Sequence, residues 1–186
     1  MHIFTEIDEF FEKHTKEEFQ EFFLLSLHLS LEEIKYMIEL GADPRGDNDM
    51  PVVLACCLSD INVVTYFINE YGADIYAHNN NALYNAIRNE NKESSIEITR
   101  MLLDNGIVAN NSDIKLAIQE NNYEIIKLLV DYGTEPERII KIFFEQIFID
   151  LNEYGYNMVY SNSLSMLKFL NQYNVDLNQI ISQIIK

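Results

Sequence analysis

What this chain has little of narrows it before any pattern is read. It has no tryptophan, 3 prolines, 6 glycines, 2 cysteines and 4 histidines in 186 residues. The glycines are scattered, so no glycine-rich loop is available to cradle a phosphate. Cys56 and Cys57 are adjacent, cannot readily close an ordinary disulfide, and have no second pair with which to build a framework. They read as small core side chains of a reduced chain. His2, His14, His28 and His78 stand far apart, without the helical two-histidine spacing and neighbouring acid of a zinc enzyme. Positive charge is the largest shortfall: 13 Lys and Arg face 30 Asp and Glu, a formal net charge of -17. Such a chain lacks the basic face that nucleic-acid phosphates require, and an anionic membrane surface repels it. No apolar run approaches about 18 residues, so no membrane-spanning helix is expected. The stretch MHIFTEIDEFFEKHTKEEF has no basic start, no unbroken apolar segment and no small-residue cleavage site, which predicts a protein that is not secreted and works in the cytoplasm.

What is present is ample core material and a period. Hydrophobic residues make up 48% of the chain, and its length suits one domain, residues 1–186. "GAD" recurs at 41–43 and 72–74, with weaker echoes "GIV" at 106–108, "GTE" at 133–135 and "NVD" at 174–176. Each follows an apolar segment at helical spacing; in YEIIKLLVDYGTE, Ile125, Ile126, Leu128, Leu129 and Val130 form one stripe. The residue after such a helix needs a left-handed backbone, which glycine adopts cheaply. Ala55, Ala86 and Ala117 recur every 31 residues, where a small side chain lets stacked helices approach; Ser26 suits the same place in the first unit. Pro51 falls in a helix's first turn. Residues 92–95, KESS, read as an insertion between two helices, and the step from Gly106 to Ala117 is 11 residues against 14 in the two preceding units.

In "MPVVLA" (50–55), "NALYNA" (81–86) and "DIKLA" (113–117), with "GAD" closing the second helix, the chain resembles the ankyrin repeat, a unit of about 33 residues built from a turn and two helices. The likeness covers residues 20–136, and 137–186 by helix spacing alone. It implies an all-α, ankyrin-type solenoid of about five stacked helix-turn-helix repeats with short finger loops and helical caps. Residues 1–30 would be the N-terminal cap and first helix, 31–136 the recognisable repeats, and 137–186 a divergent repeat and cap. It further implies a non-catalytic protein-interaction module, with a partner protein held on a concave side made of fingers and first helices. Carried over by position, the contact residues are Asp47 and Asp49 in the first finger, His78 and Asn80 in the second, and Leu58, Arg88, Asn89, Gln119 and Glu120 on the first helices. The richness in Ile, Asn, Tyr and Phe, all with A/T-rich codons, is that of an A/T-rich genome, such as a large DNA virus, a parasite or an intracellular bacterium; combined with the resemblance it implies a giant-virus-type ankyrin protein acting in a host-cell cytoplasm.

Other readings of the same residues are weaker. Arg45-Gly46-Asp47 spells an adhesion tripeptide, but an unsecreted chain has no use for one. Asp43, Asp47 and Asp49 lack the sixth-position glycine and twelfth-position glutamate of a calcium loop. Cys56 lies beside the packing Ala55 with no histidine placed to activate it. No cofactor or metal is implied. Two alternatives to a simple recognition module stand: an acidic, nucleic-acid-mimicking inhibitor of a basic partner, and homo-oligomerisation through residues 137–186.

Overall fold

The computed structural model describes residues 2–154 and 160–184, and every regular element among them is helical. The chain gathers into two compact units, Met1–Ile107 and Val108–Lys186, the chain boundary falling between Ile107 and Val108.

The first unit opens with α1 (His2–Lys13) and α2 (Lys16–Leu25). Thr15 starts α2 with a capping box: its hydroxyl accepts from the Glu18 N–H at 3.2 Å, and the Glu18 carboxylate accepts from the Thr15 N–H at 2.8 Å. Aromatic side chains close this hairpin, with Phe10 stacked on Phe22 at 4.2 Å and Phe11 edge-on to the buried Phe19 at 5.0 Å. Then follow α3 (Leu31–Glu39), α4 (Gly46–Leu58), α5 (Ile61–Tyr71), α6 (Ala77–Ile87) and α7 (Lys92–Asp104). Helices α2, α4 and α6 make an inner row, and α3, α5 and α7 an outer one. Each outer helix presents one apolar stripe inward: Ile34 and Met37, then Val63, Val64 and Phe67, then Ile98, Leu102 and Leu103. Burying each such side chain favours folding by about 1.5–3 kcal/mol.

The inner row is close-set because its contact residues are small. Ala55 and Ala86 are 0% exposed, and Asn85 Nδ2 of α6 donates to the Val53 carbonyl of α4 at 2.9 Å. A short amide reaches a neighbouring helix's backbone only where the two helices nearly touch. KESS is not an insertion between helices. The Asn91 side chain accepts from the Glu93 and Ser94 N–H groups and starts α7 at Lys92, so those residues lengthen the helix by a turn, with Ser94 and Ser95 buried.

The fingers run from the end of each outer helix into the first residues of α4 and α6, which depart from right-handed helical geometry. Gly41 and Gly72 leave their helices at φ 114° and 61°. After Gly41, the Ala42 N–H closes back on the Met37 carbonyl at 3.0 Å, satisfying a helix-end acceptor. Each of these two fingers then contains a three-residue left-handed turn: Asp47, Asn48 and Asp49 at φ 51°, 54° and 65°, and His78, Asn79 and Asn80 at φ 52°, 60° and 63°. Asn, Asp and His are the non-glycine residues that enter this region most readily, which is why the turns are written in them. The third step is 3 residues shorter, the length of that turn; there Asn110 caps the next helix directly, its side chain accepting from Ser112 and Asp113 N–H.

The second unit holds α8 (Asn111–Gln119), α9 (Tyr123–Asp131), α10 (Pro136–Tyr154), α11 (Tyr160–Leu170), a 3-10 turn (Asn171–Tyr173) and α12 (Leu177–Ile184). Ala117 is 0% exposed in α8, and Ile125, Ile126, Leu128 and Leu129 bury the stripe of α9. Arg138 ties the start of α10 to that of α8, its Nε and Nη2 donating to Asn111 Oδ1 at 2.9 and 2.6 Å and its Nη1 to the Ala109 carbonyl at 3.2 Å. In "NVD", Asn174 replaces the glycine and takes the same left-handed backbone, φ 53°. The self-association surface expected over 137–186 includes residues 155–159, 185 and 186, which lie outside the described residues.

If close approach at the small residues holds the first unit together, Ala86→Leu overpacks it. The expected loss is about 1–3 kcal/mol, read as a lower urea midpoint at unchanged slope. The same change at exposed Asn81, one turn earlier and outside the contact, should move the midpoint by less than about 0.5 kcal/mol.

Candidate functional site

The two complete fingers are tied to their neighbours through backbone groups. Gln20 of α2 clasps the peptide of Asp43, its Nε2 donating to the Asp43 carbonyl at 2.9 Å and its Oε1 accepting from the Asp43 N–H at 2.7 Å. A Cβ on Gly46 would come within 2.9 Å of Gln20 Nε2, so the glycine of Arg45-Gly46-Asp47 is there to admit this clasp. His78 Nε2–H donates to the Asp47 carbonyl at 2.9 Å, joining second finger to first. Tyr76 reaches forward, its hydroxyl donating to the Asn105 carbonyl at 2.7 Å.

The expected finger residues fare differently. Asp47 and Asn80 are exposed and His78 is half-buried. Asp49 is 5% exposed, which corrects its assignment as a contact residue. Its carboxylate takes a two-pronged hydrogen bond from Arg45, Nε to Oδ1 at 2.7 Å and Nη2 to Oδ2 at 2.9 Å, and another from the Asp74 backbone N–H. It is a brace within and between fingers. Asn80, 31 residues on, stays outside because Tyr76 stands at the place of Arg45 and points away to Asn105.

The inner helix ends repeat this contrast. Leu58, 43% exposed, and Arg88 face solvent. Asn89 is buried and is likewise corrected: its Nδ2 donates to the Cys56 and Ser59 carbonyls at 3.1 and 2.9 Å, satisfying acceptors that the end of α4 leaves open. Ser59 does the same one repeat earlier, its hydroxyl donating to the Leu27 carbonyl. In the second unit Gln119 and Glu120 end α8, both exposed. Sequence reading missed Gln20, Asn85 and the 76%-exposed Leu25. Only the 31-residue register flags Tyr76, through its match to Arg45.

The electrostatics set two buried acids apart. The Arg45 fork holds the Asp49 carboxyl below its ordinary range, with help from the Asp74 N–H. Burial pushes Asp113 up: its Oδ2 accepts from the Asn110 N–H at 2.8 Å, but its Oδ1 has no hydrogen-bond partner among the described residues. Burial likewise pushes the Cys56 thiol up to about 12, which keeps it protonated and a poor nucleophile. Among the described residues, no three His, Cys, Asp or Glu side chains converge as a metal would need, and no helix is long and apolar enough to cross a membrane. An open cleft of about 330 Å³ between α10 and α12 is lined by Arg138, Lys141, Glu135, Asp176 and Ile180 among others, a mix of both charges.

Three measurements check these assignments. Asn89→Ala should lower stability by about 1–3 kcal/mol, whereas Arg88→Ala should stay within about 0.5 kcal/mol. Asp49, its folded pKa depressed, contributes stability above its unfolded pKa and loses it as pH falls through the folded one. Asp113, its folded pKa raised, favours the fold at low pH and loses that contribution as pH rises through the folded value. Urea titrations at pH 7.5 and pH 5 (about neutral and about one unit above the ordinary carboxyl range) should therefore show opposite signs at the higher pH. Asp49→Asn destabilises there and Asp113→Asn does not; the Asp113 difference shrinks toward the lower pH, whereas the Asp49 difference persists, because the lower pH still lies above both its folded and its unfolded pKa.

No curated protein and no solved structure matches this chain. Residues 24–113 match the family model described as ankyrin repeats in three copies, the segment that holds α3 to α7 with both left-handed fingers, and the all-α fold is of the ankyrin solenoid type.

Proposed function

We propose that this protein is a non-catalytic recognition module, an adaptor, scaffold or inhibitor, that holds a partner protein against the face made by its fingers and inner helices. Ankyrin repeats generally mediate protein–protein interaction. The observation that carries the reading is the way the fingers are held. Gln20, His78 and Tyr76 bond neighbouring backbone, and Arg45 braces Asp49 from within, while Asp47, Asn80, Leu58 and Arg88 project to solvent. A surface ordered in advance loses little conformational freedom on binding, so more of the contact energy becomes affinity. In the second unit, taken by itself, the exposed Gln119 and Glu120 at the end of α8 are the contact residues. Adjacent unbridged cysteines fit work in a reducing cytoplasm, and the richness in Ile, Asn, Tyr and Phe fits an A/T-rich source, the cytoplasm being a host cell's if that source is a virus.

The test is affinity capture from the native cell with three versions of the full chain: wild type, a face variant carrying Asp47→Lys and Arg88→Glu, and a control with Glu97→Lys on the exposed side of α7. All three should share one unfolding midpoint. A true partner is recovered with wild type and control and falls at least about tenfold with the face variant, as expected when a contact worth about 1.4 kcal/mol or more is lost. Equal recovery with all three would remove the face assignment.

A further inference from the structure

The recognition face has a chemistry of its own, and the distribution of charge and apolar surface points to it. We propose that the segment it takes is cationic and amphipathic, a chain whose apolar residues seat on Leu25 and Leu58 and whose Lys or Arg side chains meet the acids around them. This rests on the reading of that face as a protein-binding surface and names the class of partner.

The first observation is where the charge lies. The first unit has 7 Lys and Arg against 20 Asp and Glu, net -13; the second has 6 against 10, net -4. Three of the 7, Lys13, Lys35 and Arg45, are already held by Glu9, Glu32 and Asp49 of their own helix or finger. The acidic surplus is therefore concentrated in the unit that carries both left-handed fingers, and Asp43, Asp47 and Asp74 of those fingers are exposed. A negative face of this kind steers a positive partner and excludes a negative one.

The second observation is apolar. Leu25 is 76% exposed and Leu58 43% exposed, each at the last residue of an inner helix. Those two ends lie side by side, because the Ser59 hydroxyl donates to the Leu27 carbonyl. The next end in the row is that of α6, joined to α4 through Asn89. One turn before each exposed leucine stands a residue that sets the character of its flank: the exposed Glu21 before Leu25, and the half-buried Leu54 before Leu58. Two exposed leucines thus stand at neighbouring helix ends, with the exposed acid Glu21 on the α2 side. Arg88, which lies over the Tyr84 ring at 5.9 Å, is the one basic side chain among Glu21, Leu25, Leu54, Leu58, Tyr84 and Arg88. A helix or extended segment with leucine-like anchors on one side and lysines on the other matches both features.

The experiment uses two labelled synthetic peptides of about 18 residues, long enough to form a helix once bound. They share one amphipathic leucine pattern, one with Lys and the other with Glu on the polar face. Each is titrated by anisotropy against the full chain and against a Leu25→Ser, Leu58→Ser variant, at low salt and at about 0.5 M salt. Both leucines are exposed, so the variant should unfold at the wild-type midpoint. The lysine peptide is expected to bind and the glutamate peptide not. The double substitution should weaken binding about tenfold or more, and added salt should weaken it further. Lysine-peptide binding that ignores the two leucines would reduce the interaction to bulk attraction and overturn the proposal. So would equal binding of both peptides, or of neither. If the cellular partner depends on Asp47 and Arg88 while the lysine peptide fails, the face stands and the partner class is wrong. If the peptide binds through the leucines while the face variant still captures its partner, the leucine pair stands and the finger assignment falls.

Discussion

The first unit depends on how closely α4 and α6 approach. With Ala55 and Ala86 fully buried between the rows, the Asn85 amide reaches the Val53 carbonyl and the Asn89 amide reaches those of Cys56 and Ser59. A larger residue at either alanine would part the helices and break all three bonds at once. Small residues and inter-repeat bonds are thus one device. The apolar contact supplies the attraction, and the amides complete the helix ends that the contact has just removed from water. Ser59, donating to Leu27, repeats the arrangement toward the N-terminus with a different side chain.

The fingers solve a separate problem. They must turn the chain from an outer to an inner helix while offering side chains to solvent. A left-handed turn of three residues does this at a conformational cost that Asp, Asn and His keep small. The cost is met by specific bonds: the Gln20 clasp on Asp43, the Arg45 brace on Asp49 and the His78 link to Asp47. Where the three residues are missing, in the step after Gly106, the Asn110 cap takes over and Asp113 is drawn inside with one oxygen unpaired among the described residues. The shorter finger therefore exchanges backbone strain for a desolvated carboxyl.

For recognition, the consequence is a division of labour among polar residues. Those that hold neighbouring backbone, Asn89, Asn85 and Gln20, or that brace a finger from within, Asp49, fix the shape. Those that hold nothing indispensable, Asp47, Asn80 and Arg88, stay exposed. Charge sharpens the picture, since the unit that carries the fingers also carries most of the negative surplus.

Much of this fold was readable in the chain. The 31-residue alanine register, the left-handed positions after each helix and the amphipathic stripes are local or periodic demands, and the bonds that answer them lie within a few residues. KESS misled because an Asn cap at position 91 turns an apparent insertion into a helix's first turn. The candidate site was only partly readable. Register placed Leu58, Asn89 and Glu120 as equivalents, and Asp49 and Asn80 likewise, yet one of each set is buried. Whether a polar side chain turns inward depends on what stands opposite it: the open carbonyls of α4 for Asn89, and the Arg45 fork for Asp49. Sequence by itself determined the helices, their period and the turns between them, because backbone geometry and hydrophobic spacing act over short range. Tertiary structure decided which polar residues turn inward and which stay exposed: Asn89 is drawn in by carbonyls some 30 residues away in the chain, and the Arg45 fork on Asp49 is completed by the Asp74 N–H of the next finger.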